Sequence, residues 1–100
     1  MPQGPTAVRV TNPGAASDHN NITAATVVKA APGRLGLVSV IVAGSAVGTV
    51  NDVLTTGAAA VANQIGTIPN TVGTYTFNWP CAVGIIVVPG TGQTVAVSYT

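Results

Sequence analysis

Apolar and polar positions alternate with a period of two along much of this chain, and the apolar positions favour β-branched residues. The pattern is clearest where Tyr75, Phe77 and Trp79 share one face while Thr74, Thr76 and Asn78 share the other. Val95, Val97 and Tyr99 repeat it against Thr94, Ala96, Ser98 and Thr100. Such alternation predicts strands with one face buried and assigns three of the four aromatic residues to the core.

Further strands are expected at Ile22–Ala30, Leu35–Ala43, Thr49–Leu54, Gln64–Ile68 and Val83–Val88, beside Thr74–Trp79 and Thr94–Tyr99. The segments APG, AGSAVG, IPNTVG, Pro80 and PGTGQ punctuate them. Seven short strands at this spacing predict an all-β fold, a single β-sandwich of jelly-roll or immunoglobulin-like type. Thr55–Gln64, rich in alanine but brief, is expected to be a loop with a helical turn.

Residues 1–21 differ from the rest. They hold prolines, glycines and the polar run SDHNN, with one strand-like segment, AVRV (Ala7–Val10), and so read as an extended N-terminal arm. The sandwich domain is expected to span 22–100. The opening residues lack the basic region and apolar run of a secretory signal, so the protein is expected to remain in the cell that makes it or to leave by lysis.

The most apolar stretch, Leu35–Val50, raises the question of a membrane span. A spanning helix needs about twenty apolar residues; this stretch is shorter and contains Gly36, Ser39, Gly44, Ser45, Gly48 and Thr49. It reads instead as a buried strand, a turn and the start of the next strand, close to a subunit contact.

Charge changes the picture more than hydropathy does. Only 5% of residues are charged, against about 25% in an ordinary soluble domain. Residues 53–100 have no Asp, Glu, Lys or Arg at all. Charge repulsion normally keeps copies apart, so a permanently assembled homo-oligomer is expected. A net charge of +1 without a basic cluster argues against nucleic acid as a partner.

The inventory for catalysis is thin: Asp18, His19, Asp52, Cys81, Lys29 and two tyrosines. Asp18 and His19, with Asn20 and Asn21, could supply metal ligands, but neighbours in an extended chain point apart, and the reading is a solvated turn. Cys81 follows Pro80 with no basic neighbour in sequence, which predicts a buried, inert thiol and, as the lone cysteine, no internal disulfide. Pro89–Thr94 (PGTGQT) lacks the lysine of a phosphate loop and reads as a hairpin turn. No enzyme, cofactor or metal site is expected. The candidate interface residues are Val8, Arg9 and Val10 in the arm, and Asn51 and Asp52, a polar pair inside an apolar region that otherwise marks a strand end or bulge.

Three segments, KAAPGRLGLVSVIVAGSAVGTVNDV, IPNTVGTYTFNWPC and GIIVVPGTGQTVAVSYT, resemble a family of short proteins of tailed bacteriophages. The likeness lies in a strand after a PG turn, an AG-x-x-x-GT turn and a terminal GTGQ segment ending in SY, and it covers about Ile22–Thr100. It implies a virion component: a capsid decoration (cement) protein, with a trimer favoured, whose partner is the major capsid protein; independently of the likeness, the polar, proline-rich arm could add a strand to a capsid edge. The alternative it implies is a head-fibre or tail-fibre module that recognises a host glycan or protein. These implications rest on analogy of fold and carry over no catalytic or ligand residue.

Overall fold

The computed structural model describes residues 17–100. Eight strands follow in order: β1 (Ser17–Ile22), β2 (Thr26–Lys29), β3 (Gly33–Val42), β4 (Gly48–Asn51), β5 (Gln64–Ile68), β6 (Gly73–Cys81), β7 (Ile85–Val88) and β8 (Thr94–Tyr99). Two single 3-10 turns, Thr56–Ala58 and Val61–Asn63, lie between β4 and β5. The strands make two antiparallel sheets, a front sheet ordered β1-β8-β3-β6 and a back sheet ordered β2-β7-β4-β5.

The order is that of a long hairpin rolled up. β1 pairs with β8, β2 with β7, β3 with β6 and β4 with β5, and these pairs alternate between the sheets. That arrangement is the jelly roll. An immunoglobulin-like sandwich keeps its first two strands side by side in one sheet, whereas β1 and β2 here lie in different sheets.

The β-sandwich expected from alternation is therefore present, with eight strands rather than about seven. The extra strand is β1, and it moves the expected boundary of the arm: Ser17–Asn21 belong to the sandwich. This strand is polar because it lies at an edge and pairs only with β8, so that only Ile22 is fully buried. Its ladder is interrupted between His19 and Ile22, where Asn21 takes a left-handed φ of 56°, a conformation asparagine tolerates better than most residues. The rest of the arm, with the AVRV segment and the candidate interface residues Val8, Arg9 and Val10, lies outside the described residues.

Gln64–Ile68 and Thr94–Tyr99 form strands with the bounds expected. Ile22–Ala30 instead divides, with Ile22 closing β1 and Thr26 opening β2. Between them Thr26 Oγ1 donates to the Ala24 carbonyl at 2.8 Å.

The core sits between the sheets. From the front come Ile22, Leu35, Val38, Val40, Val95 and Val97, and from the back Val28, Val50, Ile68, Ile85 and Val87. Register explains the selection: Val95 faces both Ile22 and Val40, and Val38 faces both Val97 and Tyr75. Burying each such aliphatic side chain contributes about 1.5–3 kcal/mol.

Two departures from simple alternation matter below. In β6 the pairing with β3 shifts by one residue between Thr76 and Trp79, and Asn78 takes a φ of 46°. Tyr75 and Phe77 pack against the core, but beyond this bulge Trp79 is 49% exposed. The expectation that all three aromatics of this strand belong to the core is thus corrected: Trp79 lies opposite the buried Leu35, but at the far end of an edge strand that no further described strand flanks.

In β7, Ile85 and Val87 face the core, yet Ile86 between them is also fully buried. The cover on its outer side comes from the β4–β5 connection, whose first 3-10 turn packs against β7. Thr55–Gln64 thus shows two helical turns where one was expected.

Candidate functional site

The connections gather at the two ends of the sandwich, and the ends differ in chemistry. One end carries the β3–β4, β5–β6 and β7–β8 turns. They are locked by Gln93, which is buried: its Nε2 donates to the Pro69 carbonyl at 2.8 Å and its Oε1 accepts from Gly90 N–H at 3.0 Å. Gly90–Gln93 is closed by a 3.0 Å backbone bond, with Gly92 at a φ of 76° in the third position, as a turn with a left-handed third residue requires. Ser45 N–H donates to the Thr91 carbonyl at 2.9 Å, and a Cβ at Gly90 would strike the Ala46 carbonyl.

PGTGQT is therefore a turn, as expected, but not a hairpin: β7 and β8 lie in different sheets. It is an arch whose glycines admit the AGSAVG loop at close range. No charged side chain occurs in these three turns, and Ile41, Val42, Val47 and Val72 stand exposed around them.

At the other end Asp52 organises the β6–β7 turn. Its carboxylate accepts from the N–H groups of Ala82, Val83 and Gly84 at 3.0, 2.8 and 3.0 Å. Burial alone would raise its pKa, but the bonds from Gly84, Val83 and Ala82 outweigh it and hold the carboxyl below its ordinary value. Nearby, Arg34 donates to the Asn78 carbonyl at 2.9 Å and to its Oδ1 at 3.2 Å, which steadies the β6 bulge.

Asn51 and Asp52, taken from sequence as candidate interface residues, both find partners inside the chain. Asn51 is only 2% exposed and donates to Thr49 Oγ1 at 3.1 Å. It shares the covered outer face of the back sheet with Ile86, so its side chain offers nothing to another subunit. Asp52 is half-buried and occupied by the turn it holds.

The residues considered for chemistry do not converge. Asp18 and His19 lie in β1, not in a turn, opposite Ser98 and Val97, and as neighbours in a strand they face opposite sides. Cys81 lies in β6, at the far edge of the front sheet from His19. Its buried thiol is pushed up to about 11 by desolvation and by the nearby Asp52 charge. Among the described residues no three His, Cys, Asp or Glu side chains are grouped so as to hold a metal. No described helix is long and apolar enough to cross a membrane.

What remains is surface. The outer face of the front sheet has a shallow depression of about 200 Å³ lined by Leu37, Ser39, Thr74, Ala96 and Ser98. Ser39 and Thr74 hydroxyls meet there at 3.2 Å, and Ser98 Oγ accepts from Leu37 N–H at 2.9 Å. With its hydroxyls bonded locally and no charge, this face is suited to contact with a flat neutral surface rather than to catalysis. Sequence reasoning missed Gln93 and the Ser39–Thr74 face, since nothing in a one-dimensional pattern shows which turns meet.

Comparison with protein-family models, with curated proteins and with solved structures gives no match for this chain.

Proposed function

We propose that this protein is a structural component of a phage virion, a decoration protein that binds the outer capsid surface as an oligomer, with a trimer favoured. The observation that carries the reading is a jelly roll whose surface is almost free of charge, with aliphatic side chains exposed around one end. Such a surface is poorly protected in isolation and suited to permanent contact with other subunits. The likeness of its turn segments to short phage proteins supports the same reading by analogy. Its mechanism is mechanical: each copy spans neighbouring capsid subunits, and many modest contacts repeated over a shell oppose their separation by avidity.

The test is the copy number of the protein in purified particles, measured by quantitative mass spectrometry against the major capsid protein. Decoration predicts a simple ratio to the capsid protein, and absence from the particle overturns the virion reading.

One observation favours a second reading, a head-fibre or tail-fibre module that binds a host surface glycan or protein. Trp79, exposed beside the β6 bulge, is placed as a stacking surface for a sugar ring. This reading predicts a copy number far below that of the capsid protein, and binding to host glycans that is lost in Trp79→Ala.

A further inference from the structure

Among the described residues four strands lie at sheet edges: β1 and β6 in the front sheet, β2 and β5 in the back. An open edge presents unpaired N–H and C=O groups, and proteins blunt it with bulges, charges, proline or brevity. β1 carries Asp18 and an interrupted ladder before Ile22. β2 has four residues, a register shift at Val28 and a terminal Lys29. β5 has five residues and a register shift at Ile65.

β6 differs. It is nine residues long, and although its second half is protected by the left-handed Asn78 and by Pro80, Gly73–Thr76 runs in unbroken register with Val40–Leu37 of β3. This stretch has no charge, proline or bulge. The direction of its backbone groups follows from β3. Leu37 N–H points toward β8, where it donates to Ser98 Oγ at 2.9 Å, so the Leu37–Thr76 pair exchanges no backbone bonds and the next pair, Val38–Tyr75, does. Thr74 and Thr76 therefore turn their N–H and C=O groups to the side that no described strand covers.

We propose that this stretch pairs with the same stretch of a second copy, antiparallel about a two-fold axis at Tyr75, and so joins two front sheets into one. Thr74-Tyr75-Thr76 reads the same in both directions. The two-fold sets Thr74 opposite the partner's Thr76, and Thr76 opposite the partner's Thr74. Both are residues whose backbone groups face outward, so each pair exchanges its N–H···O bonds. Tyr75, whose bonds go to β3, meets the partner's Tyr75 in a non-bonded pair, where side chains approach most closely. On the outer face a row of hydroxyls runs from Ser39 to Thr74, 3.2 Å apart, and on to the partner's Thr76. On the inner face the Tyr75 ring is half-buried, fixed by its hydroxyl on the Thr71 carbonyl at 2.7 Å, and gains cover from its counterpart.

Two features select a second copy over a different protein. The palindrome makes the strand its own complement, and residues 53–100 carry no charge by which copies would repel. The contact also closes: a two-fold uses the one unguarded edge of each described sandwich and leaves none for a third copy. The inference goes beyond the proposed function, which favours a trimer and does not require this contact.

The test uses the full chain in solution, so it can fail while the virion reading stands, and the reverse. Sedimentation is expected to show a dimer. Thr74→Lys with Thr76→Lys, both exposed on the outer face, sets like charges opposite each other and is expected to weaken the dimer about tenfold or more. Thr74→Lys with Thr76→Glu sets opposite charges across the same axis and is expected to restore it. Thr76→Pro removes only an outward N–H, which an edge strand tolerates, and is expected to give a folded monomer. Amide exchange at Thr74 and Thr76 is expected to be slow in the wild type and about tenfold faster or more in the Lys–Lys variant. A wild-type monomer, a trimer, or a dimer indifferent to these charges overturns the proposal. Protection of Thr74 and Thr76 that is lost on removing residues 1–16 also overturns it and assigns this edge to the chain's own N-terminal segment.

Discussion

The side-chain amide of Gln93 donates to the Pro69 carbonyl at 2.8 Å, and through it the β7–β8 turn holds the β5–β6 turn. Gln93→Ala leaves both Pro69 O and Gly90 N–H without this partner in a buried site. A loss of about 2–4 kcal/mol is expected, from the unpaired groups and the space vacated, and is checked by urea denaturation.

Asp52 is the electrostatic counterpart at the other end. Its folded pKa lies below the ordinary value of 3.8, so its contribution is present above that value and is lost as pH falls through the folded pKa. Asp52→Asn is expected to cost about 1–2 kcal/mol at pH 7 and to flatten the acid limb of the stability–pH curve. Melting the two proteins across pH 2–7, an interval chosen to bracket about 4 where carboxylates titrate, checks both.

Cys81 is expected to be silent to alkylating reagents at about pH 8, near the ordinary thiol pKa, since its own is pushed up to about 11 and its side chain is buried. Thiol labelling should appear only with denaturant, along the unfolding curve.

The position of β1 yields a sharp contrast between two deletions. Removing residues 1–16 leaves all eight strands in place, so the sandwich is expected to remain folded. Removing 1–21 takes away all but the last residue of β1, uncovering Val97 and loosening the cover that Ile22 gives Val95; a loss of about 3 kcal/mol or more is expected. Paired thermal melts decide it.

Trp79 is expected to be quenched readily by acrylamide in the free protein, because it is half exposed. Trp79→Ala should shift stability by less than about 1 kcal/mol. If a glycan or a capsid subunit covers this residue, quenching falls on binding, and the variant shows whether the contact matters.

The fold is legible in the sequence where turn chemistry and alternation agree. Gln64–Ile68 lies between an alanine-rich loop and IPNTVG, and Thr94–Tyr99 follows PGTGQ, so both strands were visible as patterns. β1 is not legible, because SDHNN faces water on nearly every position and an edge strand of that kind carries no apolar signature. The exposure of Trp79 is hidden because alternation shows which face a residue takes and not that β6 is an edge strand. The burial of Asn51 is hidden for a third reason: a polar residue at a strand end carries no local sign of being enclosed. The candidate site was less visible still, since Gln93 and the paired hydroxyls of Ser39 and Thr74 acquire meaning only through the turns and strands they join.

The rolled pairing of β1 with β8 also sets an order of events during synthesis. β1 emerges from the ribosome early but has no ladder partner except β8, which is also the strand that joins it to β3. The front sheet therefore waits, incomplete, until residues 94–99 are made, while the back sheet can assemble once β7 is out. Such distant pairing folds slowly and leaves β3 with one side unpaired for that interval. In that interval a chain so short of charge has little to keep the open side of β3 from pairing with another copy.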